Sequence, residues 1–177
     1  MLDGPLQSLI NGQQAERISI RDRGFQYGDG CFETIRVLSN KPILWSAHLK
    51  RLKHACKTLQ LSVNFELLQS EITQLLQDNK AADVILKITV TRGEGGRGYT
   101  PPEQANCIRI IQLIDYVAAD TTNGARAVVC QHRLSSNSLL GGIKHLNRLD
   151  QVVASAQIPA DFDEGLCMDE QGFVIEG

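Results

Sequence analysis

Lys144 stands between apolar and helix-forming residues in the run LLGGIKHLNR (139–148). A lysine held among apolar groups loses part of its ammonium's stability, and the amine then becomes a nucleophile or Schiff-base former; the plain alternative is one more surface lysine. Arg51 falls within an amphipathic stretch, flanked four residues either way by Ala47 and Ala55. Small neighbours leave a guanidinium room to reach an anion such as a phosphate, whereas an ordinary arginine there forms a surface salt bridge. The loop TRGEGGRGY (91–99) carries four glycines, so Arg97 and Tyr99 can approach a carboxylate at low steric cost, or simply decorate a mobile turn. Glu176, after the apolar FVI at 173–175, places a carboxylate at a strand end, either facing a ring nitrogen or solvated.

Other chemistries find less support. The four histidines form no H-x-x-x-H or H-E-x-x-H pattern and the five cysteines no C-x-x-C pair, so no metal site is expected and the cysteines read as reduced core residues of a cytoplasmic protein. The loop at 91–99 is no phosphate cradle, since G-x-x-x-x-G-K-[ST] is missing and no helical pattern opens at its end. With 18 Lys+Arg against 20 Asp+Glu, the charge balance argues against a nucleic-acid partner. The apolar runs are too short to span a membrane, and residues 1–8 show no basic segment leading into an apolar one, so neither a membrane partner nor a secretory leader is expected.

The elements that must position these residues are read from periodicity. A hairpin closes on Asn11-Gly12, and strands are expected at 31–38 and 42–44. Helices follow at 46–59, capped by Ser46, with Leu49, Leu52, Cys56 and Leu59 on one stripe, and at 66–78, with Leu67, Leu68, Ile72, Leu75 and Leu76 on another. Alternation at 84–91 gives a strand with Val84, Leu86, Ile88 and Val90 buried, and a further strand spans 107–116. The small polar stretch 118–124 reads as a linker between a domain at 1–117 and a second unit at 125–177. In that second unit a strand at 125–131, a helix at 146–157 and a hairpin at 166–175 bury too little surface to stand alone.

Taken together, four segments resemble the fold-type IV pyridoxal-phosphate enzymes in order and separation: RDRGFQYGDGCFET (21–34), HLKRL (48–52), GIKHLNRL (142–149) and GFVIE (172–176). The resemblance runs along essentially the whole chain and implies an α+β, two-domain fold like that of the D-amino-acid aminotransferases. Family members continue well past the residue matching Glu176, so it also implies that the second, larger domain is incomplete here. Lys144 would match the lysine that carries pyridoxal 5'-phosphate and moves protons, Arg51 the arginine that grips the cofactor phosphate, and Glu176 the carboxylate that keeps the pyridine nitrogen protonated. Arg97 and Tyr99 would bind a substrate carboxylate, Phe32, Glu33 and Thr34 would line the same cleft, and Thr34 would offer a proton to the leaving group. The loops 91–99 and 142–149 are similar to those of the lyase branch, which implies conversion of 4-amino-4-deoxychorismate to 4-aminobenzoate and pyruvate. A D-amino-acid or branched-chain aminotransferase and a cofactor-free protein are the alternatives. Family members are commonly homodimers, so a homodimer acting on a small-molecule substrate is implied.

Overall fold

The computed structural model describes residues 7–79, 81, 83–120 and 122–177, so Thr121 of the expected linker lies outside the described residues. The chain divides into two compact units: residues 1–117 with Gly142–Leu146, and Ala118–Gly141 with Asn147–Gly177. Among the described residues no helix is long and apolar enough to cross a membrane.

The first unit is a six-stranded sheet backed by two helices. Its elements are β1 (Gln7–Ile10), β2 (Gln13–Gln14), α1 (Arg23–Tyr27), β3 (Gly30–Leu38), β4 (Lys41–Pro42), α2 (Trp45–Thr58), α3 (Phe65–Asp78), β5 (Asp83–Thr91) and β6 (Ile108–Asp115). The spatial order is β2-β1-β6-β5-β3-β4, with every pairing antiparallel. Because side chains alternate along a strand, register assigns each residue to a face. Glu33, Ile88, Ile111 and Leu9 form one cross-strand row, and Ile35, Leu86, Leu113 and Gln7 another on the same face. The Cys31–Cys56, Glu33–Arg51 and Arg109–Glu71 contacts show that α2 and α3 cover this face. Ile35, Leu86, Ile88, Ile111 and Leu113 on it are fully buried, each contributing about 1.5–3 kcal/mol, while Leu9 is half-buried. The opposite face carries Phe32, Thr89, Ile110 and Ile10 in one row and Thr34, Lys87, Gln112 and Ser8 in the next. Phe32 is only half-buried and Thr34 is exposed.

Several boundaries differ from expectation for local reasons. Helix α2 starts at Trp45, not Ser46, and has no side-chain cap; Leu44 adopts φ 52° and its carbonyl accepts the Ala47 and His48 amides. That turn also ends β4 at Pro42, whereas a strand was expected over 42–44. Helix α3 is capped by Asn64, which accepts the Leu67 amide at 2.9 Å. Leu67, expected on the buried stripe, is exposed, while Glu71 is buried and pairs with Arg109.

The second unit contains β7 (Ala127–Leu134), α4 (Leu149–Ser155), β8 (Glu164–Asp169) and β9 (Val174–Glu176). Strands β7 and β8 are parallel, β8 and β9 antiparallel. Its core is Cys130, Leu134, Ala154 and Cys167, with Ile158 packed against them. Helix α4 starts later than the expected 146 because Leu146 pairs with β3 instead, and it ends at Ser155 where 157 was expected.

Candidate functional site

The site is built around the first residues of β3. On one side β3 pairs with β5; on the other, β4 reaches only Val37 and Leu38, leaving the edge at residues 30–32 open. Residues 144–146 fill it: the Phe32 amide donates to the Lys144 carbonyl at 2.9 Å, and the Leu146 amide to the Gly30 carbonyl at 3.0 Å. Gly30 permits this approach, since a Cβ there would run into the Val90 carbonyl and stand 2.7 Å from Leu146 Cδ1.

Backbone pairing therefore fixes where the Lys144 side chain starts, and its Nζ lies 4.7 Å from the centroid of the Phe32 ring. A cation–π contact of this kind contributes about 0.5–1 kcal/mol at an exposed site. Lys87 Nζ stands 6.0 Å from the same ring. Thr34 shares the face of Phe32, one cross-strand row further along. Lys144, Phe32 and Thr34 are thus brought to one face of one strand.

Glu33 points the other way. Expected to line the cleft with Phe32 and Thr34, it faces the helices and is 1% exposed, as strand alternation requires of the residue between them. Arg51 grips it from α2 with Nε on Oε1 at 2.7 Å and Nη2 on Oε2 at 2.6 Å, and His48 Nδ1 meets Oε2 at 2.7 Å. The Arg51 side chain remains 45% exposed. The Glu33 hydrogen bond holds the guanidinium above its ordinary pKa against the opposing effect of burial. Arg51 and Lys144 are therefore anchored on consecutive residues of β3.

A second cluster of charge, not anticipated from the sequence, secures the beginning of β3. Asp29 accepts Arg23 Nε at 2.9 Å, Arg92 Nε at 2.7 Å and Arg92 Nη2 at 3.0 Å. Arg23 is 2% and Arg92 7% exposed. Burial pushes the Asp29 carboxyl up, but the Arg92 and Arg23 hydrogen bonds and charges outweigh it and leave the pKa lowered. Arg23 also donates to the Gly98 and Tyr99 carbonyls at 2.9 and 2.8 Å, and Arg92 to those of Gln60 and Leu59. Asp22 caps α1 through the Phe25 amide and accepts the Thr91 hydroxyl at 2.7 Å. The loop of Arg97 and Tyr99 is thereby tied to α1, with Tyr27 and Tyr99 in edge contact at 5.4 Å. Arg97 is exposed, and Tyr99 is 84% exposed. Asp-Arg at 22–23 and Asp at 29 were visible in the sequence, but nothing in their spacing showed that one carboxylate would serve two arginines.

Glu176 lies in the second unit, on β9, where Gln151 Nε2 of α4 donates to Oε1 at 2.6 Å. Burial lowers the pKa of Arg148, and the Glu176 charge works against that shift. Cys31, next to Phe32, is a packing residue: its contact with Cys56 at 3.8 Å and then burial push the thiol far up, so it stays neutral. Elsewhere, a cavity of about 450 Å³ beside Trp45, Ile72 and Leu76 contains no ionisable side chain and offers no acid–base chemistry.

The chain belongs to the class IV amino-transferase family, whose model matches residues 30–177. It is 35% identical over 173 residues to the aminodeoxychorismate lyase of Vibrio harveyi, covering 94% of this chain and 63% of that protein. The crystal structure of 4-amino-4-deoxychorismate lyase from Pseudomonas aeruginosa superposes with a TM-score of 0.89 at 38% identity, covering 96% of this chain and 64% of that one. A putative branched-chain-amino-acid aminotransferase of Methanocaldococcus jannaschii is 31% identical over 180 residues, covering 97% of this chain and 62% of that protein. The chain thus spans somewhat under two thirds of the length of these relatives, and the α+β fold expected from the sequence is the fold-type IV one.

Proposed function

We propose that this chain carries the cofactor-binding groups of a pyridoxal-phosphate-dependent carbon–oxygen lyase that releases pyruvate from 4-amino-4-deoxychorismate and leaves 4-aminobenzoate. The observation that carries the reading is the seating of Lys144 by the Gly30–Leu146 and Phe32–Lys144 backbone bonds, with Arg51 anchored on the adjacent Glu33. The donor set fits the cofactor. Arg51 has five N–H groups, of which the two bonds to Glu33 use two, so three remain for a phosphate. Lys144 supplies a primary amine for the aldehyde, and Glu176 a carboxylate for the ring nitrogen.

When bound, pyridoxal phosphate supplies an electron sink. Arg51 would hold its phosphate, and Glu176, whose Oε1 accepts Gln151 Nε2, would supply a carboxylate for its ring nitrogen. Lys144 would hold the cofactor, and its amine would take the proton from the substrate carbon that bears the amino nitrogen. The C–O bond on the neighbouring carbon then breaks, the enolpyruvyl group departs as pyruvate, and the ring becomes aromatic. Thr34 Oγ1 gives a proton to the departing oxygen. Phe32 lines the cleft, and Arg97 and Tyr99 bind a substrate carboxylate. The assembly is a homodimer that works in the cytoplasm.

Similarity to the M. jannaschii aminotransferase supports a second reading, amine transfer between an amino acid and a keto acid. Incubation with 4-amino-4-deoxychorismate, with pyruvate and 4-aminobenzoate measured together, separates the two. Equal amounts of both products are expected; amine transfer to a keto acid without pyruvate release from the chorismate-derived amine would establish the second reading instead.

A further inference from the structure

We infer that Glu33 is a positioning residue for an anion bound at Arg51: it holds the guanidinium by its Nε/Nη2 edge so that the adjacent Nη1/Nη2 edge faces the phosphate of a pyridoxal-type cofactor. The inference rests on the cofactor reading above. Glu33 is 1% exposed, and a carboxylate at that depth needs close, well-directed hydrogen-bond partners. It has three such contacts: Arg51 Nε at 2.7 Å on Oε1, Arg51 Nη2 at 2.6 Å on Oε2, and His48 Nδ1 at 2.7 Å on Oε2.

The two arginine bonds are parallel and leave the guanidinium no rotation about its Nε–Cζ axis that keeps both. The N–H groups they use lie along the Nε/Nη2 edge. One of the two on Nη1 and the second on Nη2 form the other fork, whose geometry matches two oxygens of one phosphate, while the remaining Nη1 N–H points to the Cδ side. His48, one helical turn from Arg51 on α2, braces the carboxylate so that Glu33 does not follow the arginine. Strand β3 fixes Glu33 through its pairing with Ile88, and the adjacent Phe32 is fixed to Lys144 by its amide. One strand thus sets the anion-binding edge and the amine together.

Two effects of Glu33 oppose each other, and their sign is measurable. As a mere neighbouring charge, the carboxylate repels a phosphate, so neutralising it would tighten phosphate binding. As a positioning group it removes rotamer freedom from Arg51 before the anion arrives, so neutralising it weakens binding. Glu33→Gln keeps the shape and one acceptor but loses the charge-assisted fork.

Dissociation constants for pyridoxal phosphate and for pyridoxal, which lacks the phosphate, are to be measured by absorbance titration of the wild-type chain, Glu33→Gln, Arg51→Lys and the double variant. Glu33→Gln is expected to reduce the preference for the phosphorylated form by about ten-fold, the loss of roughly one charged hydrogen bond, while leaving pyridoxal affinity unchanged. In the Arg51→Lys background it is expected to change that preference by less than about two-fold, since its partner is already gone. An unchanged or increased preference in Glu33→Gln overturns the inference but not the cofactor reading. A wild-type chain that takes up neither aldehyde sinks the cofactor reading and the inference with it. ¹⁵N relaxation of the Arg51 Nε–H group in the wild-type chain without cofactor needs no variant: a rigid side chain is expected, and a freely reorienting guanidinium overturns the inference.

Discussion

Replacing Asp29 by asparagine is expected to be among the most damaging single changes in the first unit, although Asp29 lies in a loop. Its carboxylate accepts three charge-assisted hydrogen bonds of 2.7–3.0 Å from Arg23 and Arg92, and no other carboxylate is bonded to either guanidinium among the described residues. Both arginines are almost wholly buried. Asparagine has nearly the same shape, so packing changes little, but two buried positive charges are left facing a neutral amide. Removing one partner of a buried ion pair costs about 3–5 kcal/mol, a large share of the roughly 5–15 kcal/mol that holds a typical domain together. The assay is urea unfolding followed by the fluorescence of Trp45, the single tryptophan, which lies in this unit. The midpoint should fall with an unchanged m-value.

The pH dependence has a definite sign. The folded pKa of Asp29 lies below its ordinary value of 3.8, so the stabilisation is present in full above that value and is lost as pH falls through the lower, folded pKa. The gap between wild type and variant should therefore be constant near neutrality and narrow below about pH 4. A cost under about 1 kcal/mol, the level of an exposed pair, or a gap that widens in acid, would refute the reasoning.

Gly30→Ala should displace residues 144–146 from the β3 edge, because its Cβ has no space beside the Val90 carbonyl and Leu146; loss of slow hydrogen exchange at the Phe32 and Leu146 amides checks this. Thr34→Val should leave the unfolding midpoint within about 0.5 kcal/mol of wild type, as expected at an exposed position, yet slow pyruvate release; full release at the wild-type rate removes Thr34 from the mechanism. Arg97→Ala should raise KM for the carboxylate-bearing substrate more than it lowers kcat, and an unchanged KM would remove Arg97 from substrate binding.

Much of the scaffold was legible because its signals are periodic. Alternation in β5 correctly placed Val84, Leu86, Ile88 and Val90 in the core, and the spacing of Leu52 and Cys56 gave the buried stripe of α2. What escaped depends on non-local partners. Residues 144–146 have a helix-compatible sequence, and only the vacant edge of β3 turns them into a paired segment. Glu33 reads like any charged residue in a strand until strand parity puts it beneath α2, opposite Arg51. Arg23 and Arg92 are 69 residues apart in sequence and meet only on Asp29. Arg51 stood apart from the lysine stripe of its helix in the sequence, but its bond to Glu33 could not be read from that helix, since the partner belongs to another element.

The central claim is that the Lys144 amine condenses with an aldehyde cofactor. Incubation with pyridoxal phosphate, reduction with borohydride and peptide mass analysis test it most directly. A reduced phosphopyridoxyl group on the peptide containing Lys144, absent from Lys144→Ala, is the expected result; a label spread over the other lysines, or none at all, would contradict the account.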